Sequence, residues 1–107
     1  MASGILGQSA PSATTNTTVY TVPASTLAVV NISVTNRAVA DLVVRVALAA
    51  GATPGNAEWI EYDAVIPGYG VLERTGIAME AGKRVVVYTN NANASVSVYG
   101  IEQATWS

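Results

Sequence analysis

The chain has 107 residues, half of them hydrophobic and 11% charged, with a net charge of −2 at neutral pH and neither cysteine nor histidine. That length fits one small domain, and the missing residue types exclude disulfides, thiolate nucleophiles, the Ser-His-Asp triad, zinc-finger chemistry and the usual imidazole general base. The five basic residues, Arg37, Arg45, Arg74, Lys83 and Arg84, are too few for a phosphate-tracking stripe, so nucleic acid is not an expected partner.

The low charge has a second consequence. Soluble chains average about 25% charged residues, and a surface with fewer suits a protein partly covered by neighbours better than a free monomer. No apolar run approaches the ~20 residues that span a bilayer, so no membrane partner is expected. The opening MASGILGQSA lacks a basic region followed by a long apolar one, and is not expected to act as a signal peptide. Glycosylation-type triplets begin at Asn16, Asn31 and Asn93, as chance alone produces in a chain rich in Asn, Ser and Thr.

Residues 1–16, MASGILGQSAPSATTN, are dominated by small residues and proline and predict an extended N-terminal arm whose large aliphatics are Ile5 and Leu6. The domain proper is expected over residues 17–107. TTVYTV is β-branched and aromatic, and PAS turns the chain. In TLAVVNISVTN, Ala28, Val30, Ile32 and Val34 alternate with Val29, Asn31, Ser33 and Thr35, the period of a half-buried strand. LVVRVALAA follows, with Leu42, Val44, Val46 and Leu48 on the inner parity and Arg45 outside. GATPGN is a loop. AEWIEYDAVI alternates again, placing Trp59, Glu61 and Asp63 opposite Ile60, Tyr62 and Ala64. After PGYG comes VLERTGIAM, a strand that Gly76 bulges or breaks. EAGK reads as a tight turn with Gly82 at positive φ, leading into RVVVYTN. SVSVYGIEQ closes the domain, with Val96 and Val98 inward.

Seven or eight short strands with Gly, Pro and Asn turns, and no amphipathic helical pattern, predict an all-β fold. The expected architecture is an antiparallel β-sandwich, jelly-roll or Ig-like. The expected core is Val30, Ile32, Val34, Leu42, Val44, Val46, Val85, Val87, Val96 and Val98.

The charges invite two readings. If EAGK joins neighbouring strands, Glu73 or Glu80 lies across from Lys83 or Arg84, and such cross-strand pairs are worth ~0.2–1 kcal/mol. Arg74 falls on the inner parity unless the bulge near Gly76 frees it. Alternatively Glu61 and Asp63, on one face beside Trp59 and about 7 Å apart by strand rise, would serve as a carboxylate pair or a sugar-binding strip. The plainer reading has Trp59 and Tyr62 straddling a sheet, with the acids solvating it. No phosphate loop, nucleotide fingerprint or metal motif is present, so neither enzymatic activity nor a cofactor is expected.

The segments TNTTVYTVPAS, VVNISVTNRA, WIEYDAVIPGYGVLERTGIAMEAGKRVVVYTN and VSVYGIE have the cadence of a known class of proteins. Between residues 14 and 103 the chain resembles small β-sandwich virion proteins of tailed bacteriophages, including cyanophages. Those proteins are capsid decoration (cement) proteins or tail and fibre components, and they offer no catalytic residues to carry over. The resemblance implies a protein made in the host cytoplasm and carried on the virion. There it would be a homotrimer or another small oligomer gripping the major capsid protein where shell subunits meet, or one joint of a tail appendage. A carbohydrate-binding or adhesin module is the third class. Candidate interaction residues are Ile5, Leu6, Trp59, Tyr62, Tyr69 and Trp106, because exposed apolar side chains mark contact surfaces.

Overall fold

The structure, a computed structural model, describes residues 3–105. Eight strands follow in order: β1 (Ser3–Ser9), β2 (Thr17–Thr21), β3 (Thr26–Asn36), β4 (Leu42–Ala49), β5 (Trp59–Ile66), β6 (Val71–Met79), β7 (Arg84–Thr89) and β8 (Ala94–Ala104). They form two antiparallel four-stranded sheets, β1-β8-β3-β6 and β2-β7-β4-β5. Only β4 and β5 are both consecutive and paired; every other connection crosses from one sheet to the other. Eight strands in this order make a jelly roll rather than an immunoglobulin-type sandwich of seven or nine strands.

Burial follows the alternation. All ten expected core residues are buried, and Tyr20, Val22, Ala28, Ile66, Met79 and Ala94 complete the same cluster. β3 and β8 run in unbroken register from Thr26 opposite Ala104 to Asn36 opposite Ala94, so they keep one parity along their whole length.

Two expectations are corrected. Residues 3–9 of the anticipated arm are extended, but they belong to the sandwich as edge strand β1 on β8. Leu6 is half-buried against the core, while Ile5 points away from it, opposite Tyr99. The EAGK turn is not a hairpin between neighbours: β6 and β7 lie in different sheets, and the turn, closed by Lys83 N–H donating to the Glu80 carbonyl at 3.2 Å, carries the chain across the sandwich. Glu73 therefore faces Ser33, Lys83 approaches Glu58 at 3.9 Å, and Arg84 sits between Thr21 and Ala49.

The two long sides of the sandwich differ. On one, β1 meets β2 closely: a methyl on Gly7 would overlap the Val19 carbonyl, and the Tyr20 hydroxyl donates to Glu102 Oε2 at 2.6 Å, linking the sheets. On the other, β5 and β6 are both sheet edges, and Arg74 of β6 pairs with Glu61 of β5 across the gap. Arg74 does hold the inner parity, opposite Ile32, and stays half-exposed because it lies at the open side.

Candidate functional site

Strand β5 carries most of the unusual chemistry, because its register against β4 slips twice. Val44 faces Ala64 and Val46 faces Glu61, so Arg45 alone opposes both Tyr62 and Asp63. Such a two-against-one bulge needs an unusual backbone conformation, and Asp63 supplies it with φ 53°. Both side chains consequently reach Arg45 on the outer face. Its Nε donates to Asp63 Oδ1 at 2.6 Å and a terminal nitrogen donates to Oδ2 at 3.4 Å. The same guanidinium lies 4.2 Å from the Tyr62 ring centre and 4.7 Å from that of Tyr88, its register partner on β7. A planar cation stacked between aromatic faces and bonded to a carboxylate is well matched chemically. The Asp63 hydrogen bond raises the Arg45 pKa still further above its ordinary value, so the charge is permanent.

In the second slip, Ile60 is the extra residue between Glu61 opposite Val46 and Trp59 opposite Ala47. Trp59 thereby returns to the outer face, packing on Ala47, Ala49 and Val86, with its ring edge-on to Tyr62 at 5.5 Å and 76°. Glu61 turns inward to Arg74. The expected pairing of Glu61 and Asp63 on one face is thus undone: the bulge puts them on opposite sides of the sheet, each with its own arginine.

β5 ends in the Pro67–Gly70 turn, closed by Gly70 N–H donating to the Pro67 carbonyl at 2.9 Å. Tyr69 occupies its third position with φ 59° and is 71% exposed. A left-handed residue there is ordinarily glycine. The turn is pinned from beneath: Tyr69 N–H donates to the Ala38 carbonyl at 3.0 Å, and Gly68 lies so close to the Val39 carbonyl that a methyl would not fit. Buried Asn36 donates through Nδ2 to the carbonyls of Ala40, Ile66 and Pro67 and accepts from Ala38 N–H, tying both loops to the core.

Comparison with protein families, curated proteins and solved structures returns no match. The chemistry must therefore be read from the surface itself. Among the described residues there is no enclosed pocket and no group of three metal-ligating side chains. What the chain presents is a ridge along β5 and its turn, in which Tyr62 (58% exposed), Val65 (60%) and Tyr69 succeed one another beside the Arg45 stack. Three of the sequence candidates, Trp59, Tyr62 and Tyr69, fall on this ridge. Ile5 and Leu6 lie at the opposite edge of the molecule, on β1. Trp106 lies outside the described residues. Arg45 and Tyr88 were not among the candidates, and Asp63 was read only as a partner of Glu61; the available signal was a lone arginine within the apolar run LVVRVALAA, a charge that needs outward partners.

Proposed function

We propose that the protein is a non-enzymatic assembly module that docks on a larger structure through the β5 ridge and, following the resemblance noted above, that it serves as an oligomeric capsid decoration protein of a virus particle. The observation that carries this reading is the ridge. Trp, Tyr and Arg are the residues that dominate protein–protein binding energy when set in packed, pre-arranged positions, and here Arg45 is fixed by Asp63, Tyr62 and Tyr88 before any partner arrives. Tyr69 adds an exposed aromatic ring at the tip of a braced turn, at a backbone conformation that disfavours it. The eight-stranded jelly roll is an architecture used in viral capsid domains and in lectins, which supports the reading by analogy alone.

A tail or fibre component would use the same ridge, and the lectin analogy keeps a glycan-binding module as the other class. Against a glycan platform, the Arg45 guanidinium covers a face of Tyr62 and Asp63 is committed to Arg45. The test is co-sedimentation of the purified protein with intact capsids, with isolated tails and with polysaccharide. Capsid binding that weakens about 5–30-fold in Tyr62→Ala supports the proposal, the range expected for a contact worth roughly 1–2 kcal/mol. Binding to tails or polysaccharide alone would replace it with the corresponding alternative.

A further inference from the structure

The outer face of the other sheet, β1-β8-β3-β6, plays no part in the ridge, and its composition is unusual for a solvent face. At one end, Val29 stands directly opposite Ile101 (53% exposed), and Ile5 (60%) opposite Tyr99. At the other end the outward positions of β3 and β8 are small and polar, Ser33 opposite Ser97 and Thr35 opposite Ser95, with Val71 (52% exposed) beside Thr35 at the β6 rim. Among the five basic and seven acidic residues, Glu73 alone holds a register position on this face, at its β6 rim. Gln8 ends the same row at the β1 rim, so the row reads Glu73–Ser33–Ser97–Gln8 across the four strands.

We propose that this face binds a second copy of the chain, face to face, about a two-fold axis running along the strands between β3 and β8. That operation turns the sheet over and lays each row on itself in reverse. Val29 meets Ile101 of the second copy, Ser33 meets its Ser97, and Glu73 meets its Gln8. The Val29–Ile101 row thus covers itself apolar on apolar and the Ser33–Ser97 row hydroxyl on hydroxyl, Tyr99 lies over Asn31 of the second copy, and the charge of Glu73 meets an amide able to donate to it. The two Glu73 carboxylates end at opposite rims, so no like charges oppose one another.

The size is adequate. The strands β1, β8, β3 and β6 are seven, eleven, eleven and nine residues long, and at about 4.8 Å spacing and about 3.4 Å rise per residue they give a face of about 600 Å². Stable interfaces bury about 600–1,000 Å² per partner, a range this face enters at its lower end. With no long charged side chain across its middle, the face can approach another sheet at the usual ~10 Å. An isologous contact of this kind closes at two copies, in place of the trimer expected from the sequence.

Sedimentation of the full chain at ~100 µM, a concentration that fills a micromolar dimer, tests this directly. A dimer is expected, and Val29→Lys with Ile101→Lys should weaken it at least tenfold, while Val65→Lys on β5 leaves it intact. Since introduced lysines can disturb folding, the row pairing supplies an independent check. Gln8→Glu, an exposed change that sets carboxylate against carboxylate, should weaken the dimer in a salt-dependent way, and adding Glu73→Gln should restore it. A wild-type monomer at that concentration, a trimer, or a Gln8→Glu dimer of unchanged strength would overturn the proposal. None of these readouts involves capsid binding, so failure here leaves the role of the ridge to be judged separately.

Discussion

Tyr69 combines two unfavourable features, a left-handed backbone and a largely exposed aromatic ring. The left-handed conformation costs an L-residue roughly 1–2 kcal/mol because Cβ crowds the following carbonyl, and glycine escapes that cost. Tyr69→Gly should therefore raise stability by about 1 kcal/mol after allowing for glycine's greater unfolded-state freedom. Urea denaturation would measure it, with an unchanged slope. The capsid binding proposed above should fall in the same variant. Unchanged binding would show that the tyrosine serves neither fold nor docking. Proline and the two glycines of PGYG announce a turn, but that the tyrosine would take the strained position was not legible, because it follows from how Asn36 and the Val39 carbonyl brace the loop beneath it.

At the scale of elements, alternation located the strands well and their pairings poorly. Val30, Ile32 and Val34 announce an inner face by period alone, and burial agrees. In β5 the same reasoning put Trp59, Glu61 and Asp63 together, and two bulges re-sorted them, since each extra residue reverses the parity of everything beyond it. β1 shows the converse. Its small residues gave no strand signal, yet Gly7 is what lets the edge of one sheet close against β2 of the other. Gly7→Ala should force the backbone of β1 away from the Val19 carbonyl at a cost of about 1–3 kcal/mol. Hydrogen exchange should quicken first in the amides β1 shares with β8. Uniform destabilisation without early loss of β1 protection would show that the close approach does not hold that edge.

For the whole molecule, the Tyr20–Glu102 hydrogen bond spans the two sheets on the closed side. Burial, followed by the hydrogen bond to Glu102 and its negative charge, pushes the Tyr20 phenol above its ordinary pKa of 10.0. The folded protein keeps the proton where the unfolded chain releases it. The resulting stability is complete below pH ~10 and is lost as pH rises from there through the folded value. Tyr20→Phe should cost about 1 kcal/mol at neutral pH and show a shallower loss of melting temperature above pH ~10 than the wild type. Parallel curves for the two proteins would mean that Tyr20 ionises without consequence for the fold.

Composition and period fixed the all-β class, the absence of cysteine and histidine chemistry, and the ten central core positions, because each depends on local side-chain parity or on a residue count. The order of strands, the jelly-roll crossings and the ion-pair partners of Arg45, Arg74 and Lys83 depended on which distant segments came together. EAGK looks the same whether it closes a hairpin or bridges two sheets. Arg45 finds Asp63 and Tyr88, and Arg74 finds Glu61, only once β4, β5, β6 and β7 are in place. Trp59, Tyr62 and Tyr69 could be picked out as aromatic candidates from the sequence, but the Arg45 cluster that arranges the ridge joins residues whose spacing along the chain carries no record of their meeting, and it belongs to the tertiary structure alone.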